Sequence, residues 1–208
     1  MSNGTFDFNV FIKESKDVLI NPKAYFSTMK TSGGMAEPLI KAVIYGVISG
    51  VIGLLWSLLN ISGLSGGMFG SALGIMALIG PIIGAIIGLF IGAVILLILS
   101  SICKGNTDFE ANVRVTAAVM VVMPISAFFG FASGINLYLG IIIGLAINLY
   151  SLWLLYNGLV EALKANEGTA KILGYVLAAL FVIFIIVSNT DSRGENRVPQ
   201  YWQSVLIG

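Results

Sequence analysis

The chain has 208 residues, 57% of them hydrophobic and 25 of them glycine, with a mean hydropathy of +0.97. Charged residues make up only 10%, 11 Lys and Arg against 10 Asp and Glu, where a soluble domain carries ~25%. So few charges cannot cover a water-facing surface, which excludes a soluble enzyme and a disordered chain, and a net charge of +1 gives no general attraction for nucleic acid.

Residues 1–37 predict amphipathic helices rather than a signal peptide, because no early apolar core follows a basic start. Phe8, Phe11, Ile12, Val18 and Leu19 recur at helical spacing, with Asn9, Lys13, Glu14, Lys16 and Asp17 on the remaining arc. Such a stripe suits the headgroup region of a bilayer and equally suits packing on the protein's own helices. Asn21-Pro22 reads as a helix start, with Asn as the cap and Pro in the first turn. Tyr25, Phe26 and Met29 form its short apolar face, Thr31-Ser32-Gly33-Gly34 ends it, and Glu37-Pro38 opens the next helix.

Five apolar spans follow, at about 38–60, 81–102, 112–132, 137–157 and 169–188, each near the ~20 residues needed to cross a bilayer. Ser71 to Ile102 is uncharged throughout and would extend ~48 Å as one straight helix, beyond a ~30 Å hydrocarbon core. Pro81 is therefore the expected division, leaving 63–80 as an outer Gly-rich segment, interfacial or re-entrant. Residues 189–208 form a polar tail that Tyr201, Trp202, Val205 and Leu206 could anchor at the outer interface. Nine basic residues fall on the N-terminal side of this arrangement and two in the tail, so the bias places the N-terminus inside and the C-terminus outside a cytoplasmic membrane. The expected fold class is all-α: a polytopic membrane bundle of five helices preceded by amphipathic helices.

Chemistry is sparse. Histidine is absent and Cys103 is the only cysteine, so zinc sites of the Cys/His type, Cys–His and Ser–His–Asp catalysis and His-ligated haem are unavailable. No catalytic residue, metal or cofactor is expected. All ten carboxylates lie outside the span interiors, which argues against ion coupling, and Lys41 and Arg114 enter apolar stretches only near an end, where they can snorkel.

Small residues stand out within the spans. Gly80, Gly84, Gly88 and Gly92 repeat every four residues, a glycine zipper that serves either packing within the bundle or a homo-oligomer interface. Gly46/Gly50, Gly130/Gly134 and Gly140/Gly144 share the spacing. Asn148 is the most isolated polar group at depth, suited to an interhelical hydrogen bond or to lining a polar path, and Pro124 should kink the third span. Asp108, Glu110, Arg114, Glu161 and Lys164 stand in or beside the two inner loops, as solvated charges or as a docking surface for a cytoplasmic or membrane protein partner.

The order of features resembles a known family. The amphipathic helix is followed by Asn21-Pro22-Lys23 with Tyr25-Phe26, then Glu37-Pro38-Leu39 opening span one. A short charged loop leads into Arg114-Val115 with Pro124 ten residues later, and Tyr156-Asn157-Gly158-Leu159 precedes the last span. From about Phe8 to Ser188 this is similar to the prokaryotic branch of the Yip family, five-span membrane proteins named for interacting with Ypt/Rab GTPases. For eukaryotic relatives the resemblance implies vesicle trafficking and membrane shaping through cytoplasmic contacts. The chain lacks their Asp-Leu-Tyr-Gly-Pro motif, so GTPase binding is not carried over. The leading expectation is a non-enzymatic, self-associating membrane scaffold or adaptor in contact with lipids. The alternative is a passive transporter, channel or lipid-translocating protein.

Overall fold

The computed structural model describes residues 7–59 and 70–194, and among them every regular element is helical. Helix α1 spans Phe8–Ile20 and α2 Pro22–Thr28. The membrane-length helices begin with α3, Ala36–Leu58, and α4, Gly70–Ile102. The third crossing is built from α5, Phe109–Val119, α6, Val122–Phe128, and α7, Phe131–Ile135. Helix α8 covers Leu137–Asn157 and runs into a π-helical turn, Gly158–Ala162, before α9, Glu167–Gly194. Five stretches are long and apolar enough to cross a membrane, the last being Glu167–Val187.

Short polar side chains start several of these helices by accepting backbone N–H groups that the first turn leaves unpaired. Asp7 caps α1 through Asn9 and Val10 N–H at 2.8 and 3.2 Å. Asn21 closes α1 with its own N–H on the Asp17 carbonyl and caps α2 through Ala24 N–H, with Pro22 in the first turn. Asp108 caps α5 and Asn136 caps α8 in the same way.

Two prolines behave differently. Helix α4 does not start at Pro81 but runs through it from Gly70. A proline ring normally pushes the preceding residue out of helical geometry through that residue's Cβ, and Gly80 has none. The 63–69 part of the outer Gly-rich segment, and Tyr201, Trp202, Val205 and Leu206 of the tail, lie outside the described residues. Pro124 does break the third span, between Val119 and Val122. Its missing N–H would have paired with the Met120 carbonyl, which accepts from Met123 N–H instead, at 2.9 Å.

Packing centres on α3 against α4. A Cβ on Gly46 would lie 2.9 Å from Ile82 Cα and 3.0 Å from the Pro81 carbonyl, so glycine lets the two backbones touch. Ala42, Tyr45, Gly46, Ser49 and Gly50 form the buried face of α3, and Ala85, Leu89, Ala93 and Leu96 that of α4. Helix α5 completes this core with Val113, Val115, Ala117 and Ala118. In the third crossing 39% of the apolar window is buried, against 6% in the fourth and in the fifth, so α8 and α9 form a peripheral hairpin.

At one end the two hairpins are joined turn to turn. Asn106 N–H donates to the Leu163 carbonyl at 2.6 Å and Asn166 N–H to the Cys103 carbonyl at 2.8 Å, a reciprocal pair. The turns match in conformation too, with Lys104 at φ +56° and Lys164 at φ +54°. At the other end Trp56 donates to the Ala127 carbonyl at 3.0 Å and packs with Phe128 and Phe131. That end carries aromatic rings, and every charged residue from Asp7 to Lys171 lies at the first.

Candidate functional site

The charged end is organised around two buried cations. Lys41, on the second turn of α3, and Arg114, on α5, keep only 10% and 5% of their side chains exposed. Both stand four residues after a glutamate, Glu37 and Glu110, the helical spacing that brings opposite charges together. Lys41 Nζ contacts Glu37 and Glu14 carboxylates, each at 2.7 Å. Arg114 donates to Glu37 at 2.9 Å, to Glu110 at 3.1 Å and to the Gly34 carbonyl at 2.9 Å. Glu110 also accepts the Gly34 N–H at 2.6 Å.

Glu37 thus bridges both cations, and the network ties α1, the Gly33-Gly34 turn, α3 and α5 into one clasp. Glycine is required in that turn on two counts. Gly33 and Gly34 have φ of +132° and +93°, and a Cβ on Gly33 would lie 3.0 Å from the Arg114 guanidinium. Lys41 and Arg114, near the span ends as the sequence suggested, are buried within the bundle there, because three carboxylates and a carbonyl satisfy them.

Around this clasp the N-terminal arm is seated by apolar and hydroxyl contacts. Phe11 packs on Tyr45 with ring centroids 5.1 Å apart, and Ser15 Oγ lies 2.8 Å from the Tyr45 hydroxyl. The Tyr150 hydroxyl donates to the Leu19 carbonyl. Phe26 is wholly buried, and a Cβ on Gly158 would lie 2.5 Å from Val115 Cγ1 and 3.5 Å from the Phe26 ring. Burial, with the Glu14 and Glu37 carboxylates nearby, pushes the Tyr25 phenol well above its ordinary range.

The residues singled out in the sequence fall in distinct places. Glu110 and Arg114 belong to the clasp. Asp108 caps α5, Glu161 lies 3.6 Å from Lys23, and Lys164 is exposed on its turn. Among the described residues, Gly92 is the one zipper glycine that packs within the chain, 2.9 Å from Thr116 Cγ2 by its hypothetical Cβ; Gly80, Gly84 and Gly88 meet none of them within 4 Å. Asn148 is exposed and bonds its own helix through the Gly144 carbonyl at 2.8 Å. It lines a groove of about 280 Å³ with Val119, Ser151, Leu152, Leu177 and Phe181.

In the sequence Glu14 falls on the polar arc of the first helix and Glu37 reads only as a helix start. The i, i+4 spacing of Glu37–Lys41 and Glu110–Arg114 was a visible signal for half of the clasp. The crossing pairs, Glu14–Lys41 and Glu37–Arg114, had none. Among the described residues no group of three or more His, Cys, Asp or Glu is placed to hold a metal ion.

Comparison with curated proteins and with solved structures finds no match. A family model, the Yip1 domain, matches residues 16–188, which include Lys41, Arg114, the Asn21-Pro22 cap and the Gly158 contact. With that match over most of its length and five membrane-length helices in place, the chain belongs to the Yip family of multi-pass membrane proteins.

Proposed function

We propose that the protein is a non-enzymatic membrane scaffold or adaptor that self-associates through α4 and docks partners at its charged end. The carrying observation is the open face of α4. A Cβ at Gly80, Gly84 or Gly88 meets nothing within 4 Å, while Ile83, Ile87 and Ile91 on the same helix are exposed. In lipid, helices associate by close packing, and three glycines in register give a second helix a groove to enter. The charged end faces the cytoplasm in this reading, since nine of eleven basic residues gather there. Asp108, Lys164 and the outer edge of Glu161 are its docking groups, Glu110 and Arg114 shaping the surface from beneath.

Energy transfer between two fluorescent copies in native membranes tests this. Gly84→Leu with Gly88→Leu should abolish transfer while leaving the fold intact, because both positions are open in the single chain. A wild-type chain that gives no transfer and no crosslink to any neighbour refutes the scaffold. A second reading, passive passage of lipid, rests on the Asn148–Ser151 groove within an otherwise apolar wall. Lipid scrambling by reconstituted protein, lost in Asn148→Leu, would favour it.

A further inference from the structure

Helix α1 has two apolar faces, and the bundle covers one of them. Phe11 and Val18 are buried. Phe8, Ile12 and Ile20 are 56%, 52% and 69% exposed. At ~100° per residue Phe8, Ile12 and Leu19 lie together about a quarter-turn from the Phe11–Val18 face. Lys13 and Lys16 project on the side away from the bundle, and Val10 and Asp17 lie opposite Phe8, Ile12 and Leu19. Lys13 and Lys16 are exposed and form no ion pair among the described residues.

The contacts that hold α1 also set its depth. Tyr45, which receives Phe11 and Ser15, stands one helical turn past Lys41, the last charge of α3. Tyr150, bonded to Leu19, stands roughly 16 Å along the chain's helical rise from Glu161, the first charge beyond α8. Helix α1 is therefore level with the charged end of α3 at Glu14–Lys41 and with the apolar turns next to it, where Tyr45 and Tyr150 hold it. Beyond Leu19 an apolar groove of about 380 Å³, lined by Val122, Ile125, Ala146, Ile147 and Tyr150, continues its free face toward the membrane interior.

We propose that α1 is an interfacial lipid-binding helix, independent of any self-association. Phe8 and Ile12 enter the acyl region of the leaflet at the charged end, half-buried Leu19 closes the edge of that face on the bundle, and Lys13 and Lys16 engage the leaflet's anionic headgroup phosphates. A helix at this depth, with an apolar face turned to the hydrocarbon and ammonium groups turned to the neighbouring lipids, matches the two layers it would touch. Both faces of the apolar stripe are used, one on protein and one on lipid.

Nitroxide labels at Phe8→Cys, Ile12→Cys and Val10→Cys test the placement in the full chain, because the native Cys103 is buried and stays unlabelled. The protein is reconstituted in phosphatidylcholine vesicles with and without phosphatidylglycerol. The ratio of oxygen to nickel-chelate accessibility should be severalfold higher at positions 8 and 12 than at 10. Phosphatidylglycerol should deepen the label at 12, and Lys13→Gln with Lys16→Gln, or high salt, should remove that shift. Equal nickel accessibility at all three positions would place α1 in water and overturn the proposal. Exclusion of both relaxants at 8 and 12 would mean that protein covers the face, which also overturns it. Equal depth in both vesicles overturns the headgroup assignment.

Discussion

Arg114→Met isolates the contribution of the clasp. The substitution preserves side-chain volume and apolar packing but removes three hydrogen bonds, to Glu37, Glu110 and the Gly34 carbonyl. Removing one partner of a buried ion pair costs ~3–5 kcal/mol, chiefly because the opposite charges stay behind. Here Glu37 keeps Lys41, Glu110 keeps the Gly34 N–H, and both carboxylates are partly solvated, so the cost belongs at the low end, about 3 kcal/mol. Arg114→Lys retains the charge but not the fork that reaches two carboxylates and a carbonyl together, and should lose about half as much. Reversible unfolding in mixed detergent micelles, followed by tryptophan fluorescence, measures both. A double-mutant cycle with Glu37→Gln should show a coupling above ~1 kcal/mol, whereas a cycle with Glu161→Gln should be additive. If Arg114→Met unfolds within ~0.5 kcal/mol of the parent, or its cycle with Glu37 is additive, the clasp does not hold the arm.

Gly158→Ala should destabilise by ~1–3 kcal/mol, since its Cβ would press on Val115, and Val115→Ala should restore part of the loss in the same unfolding assay. Gly46→Ala should cost a similar ~1–3 kcal/mol by forcing α3 from the α4 backbone, where the neighbouring atoms cannot rotate away; unchanged thermal stability would refute that close approach. Lys164→Gly should stabilise by about 1 kcal/mol, because glycine adopts φ +54° without a Cβ penalty, and a lowered melting temperature would contradict it. Stability should fall above pH 10 as the unfolded chain releases the Tyr25 proton that the folded chain retains. Tyr25→Phe should flatten that alkaline limb relative to the parent.

The helices were legible because lipid imposes a simple rule: a segment that must satisfy its own backbone and face hydrocarbon is long, apolar and helical. The cap at Asn21 and the break near Pro124 follow from local geometry, which sequence carries directly. Pro81 misleads for an equally local reason, the glycine before it. The clasp was half legible. Each Glu-to-cation pair at i, i+4 lies on one helix, but Glu14 reaches Lys41 and Glu37 reaches Arg114 only after three elements have been brought together.

Composition by itself determined that this is a membrane protein, because 21 charges in 208 residues cannot clothe a soluble surface, and the positions of those charges between the spans gather most of them at one end. It also determined that glycine would govern helix approach, since only small residues allow backbones to touch in lipid. Only the tertiary structure decided which glycines do so. Gly46 meets α4, whereas Gly80, Gly84 and Gly88 face outward, a distinction of helix rotation that the four-residue repeat does not encode. Tertiary structure likewise turned Lys41 and Arg114 inward. A long cationic side chain near a membrane surface can point either way, and the carboxylates brought by α1, α3 and α5 settle its direction.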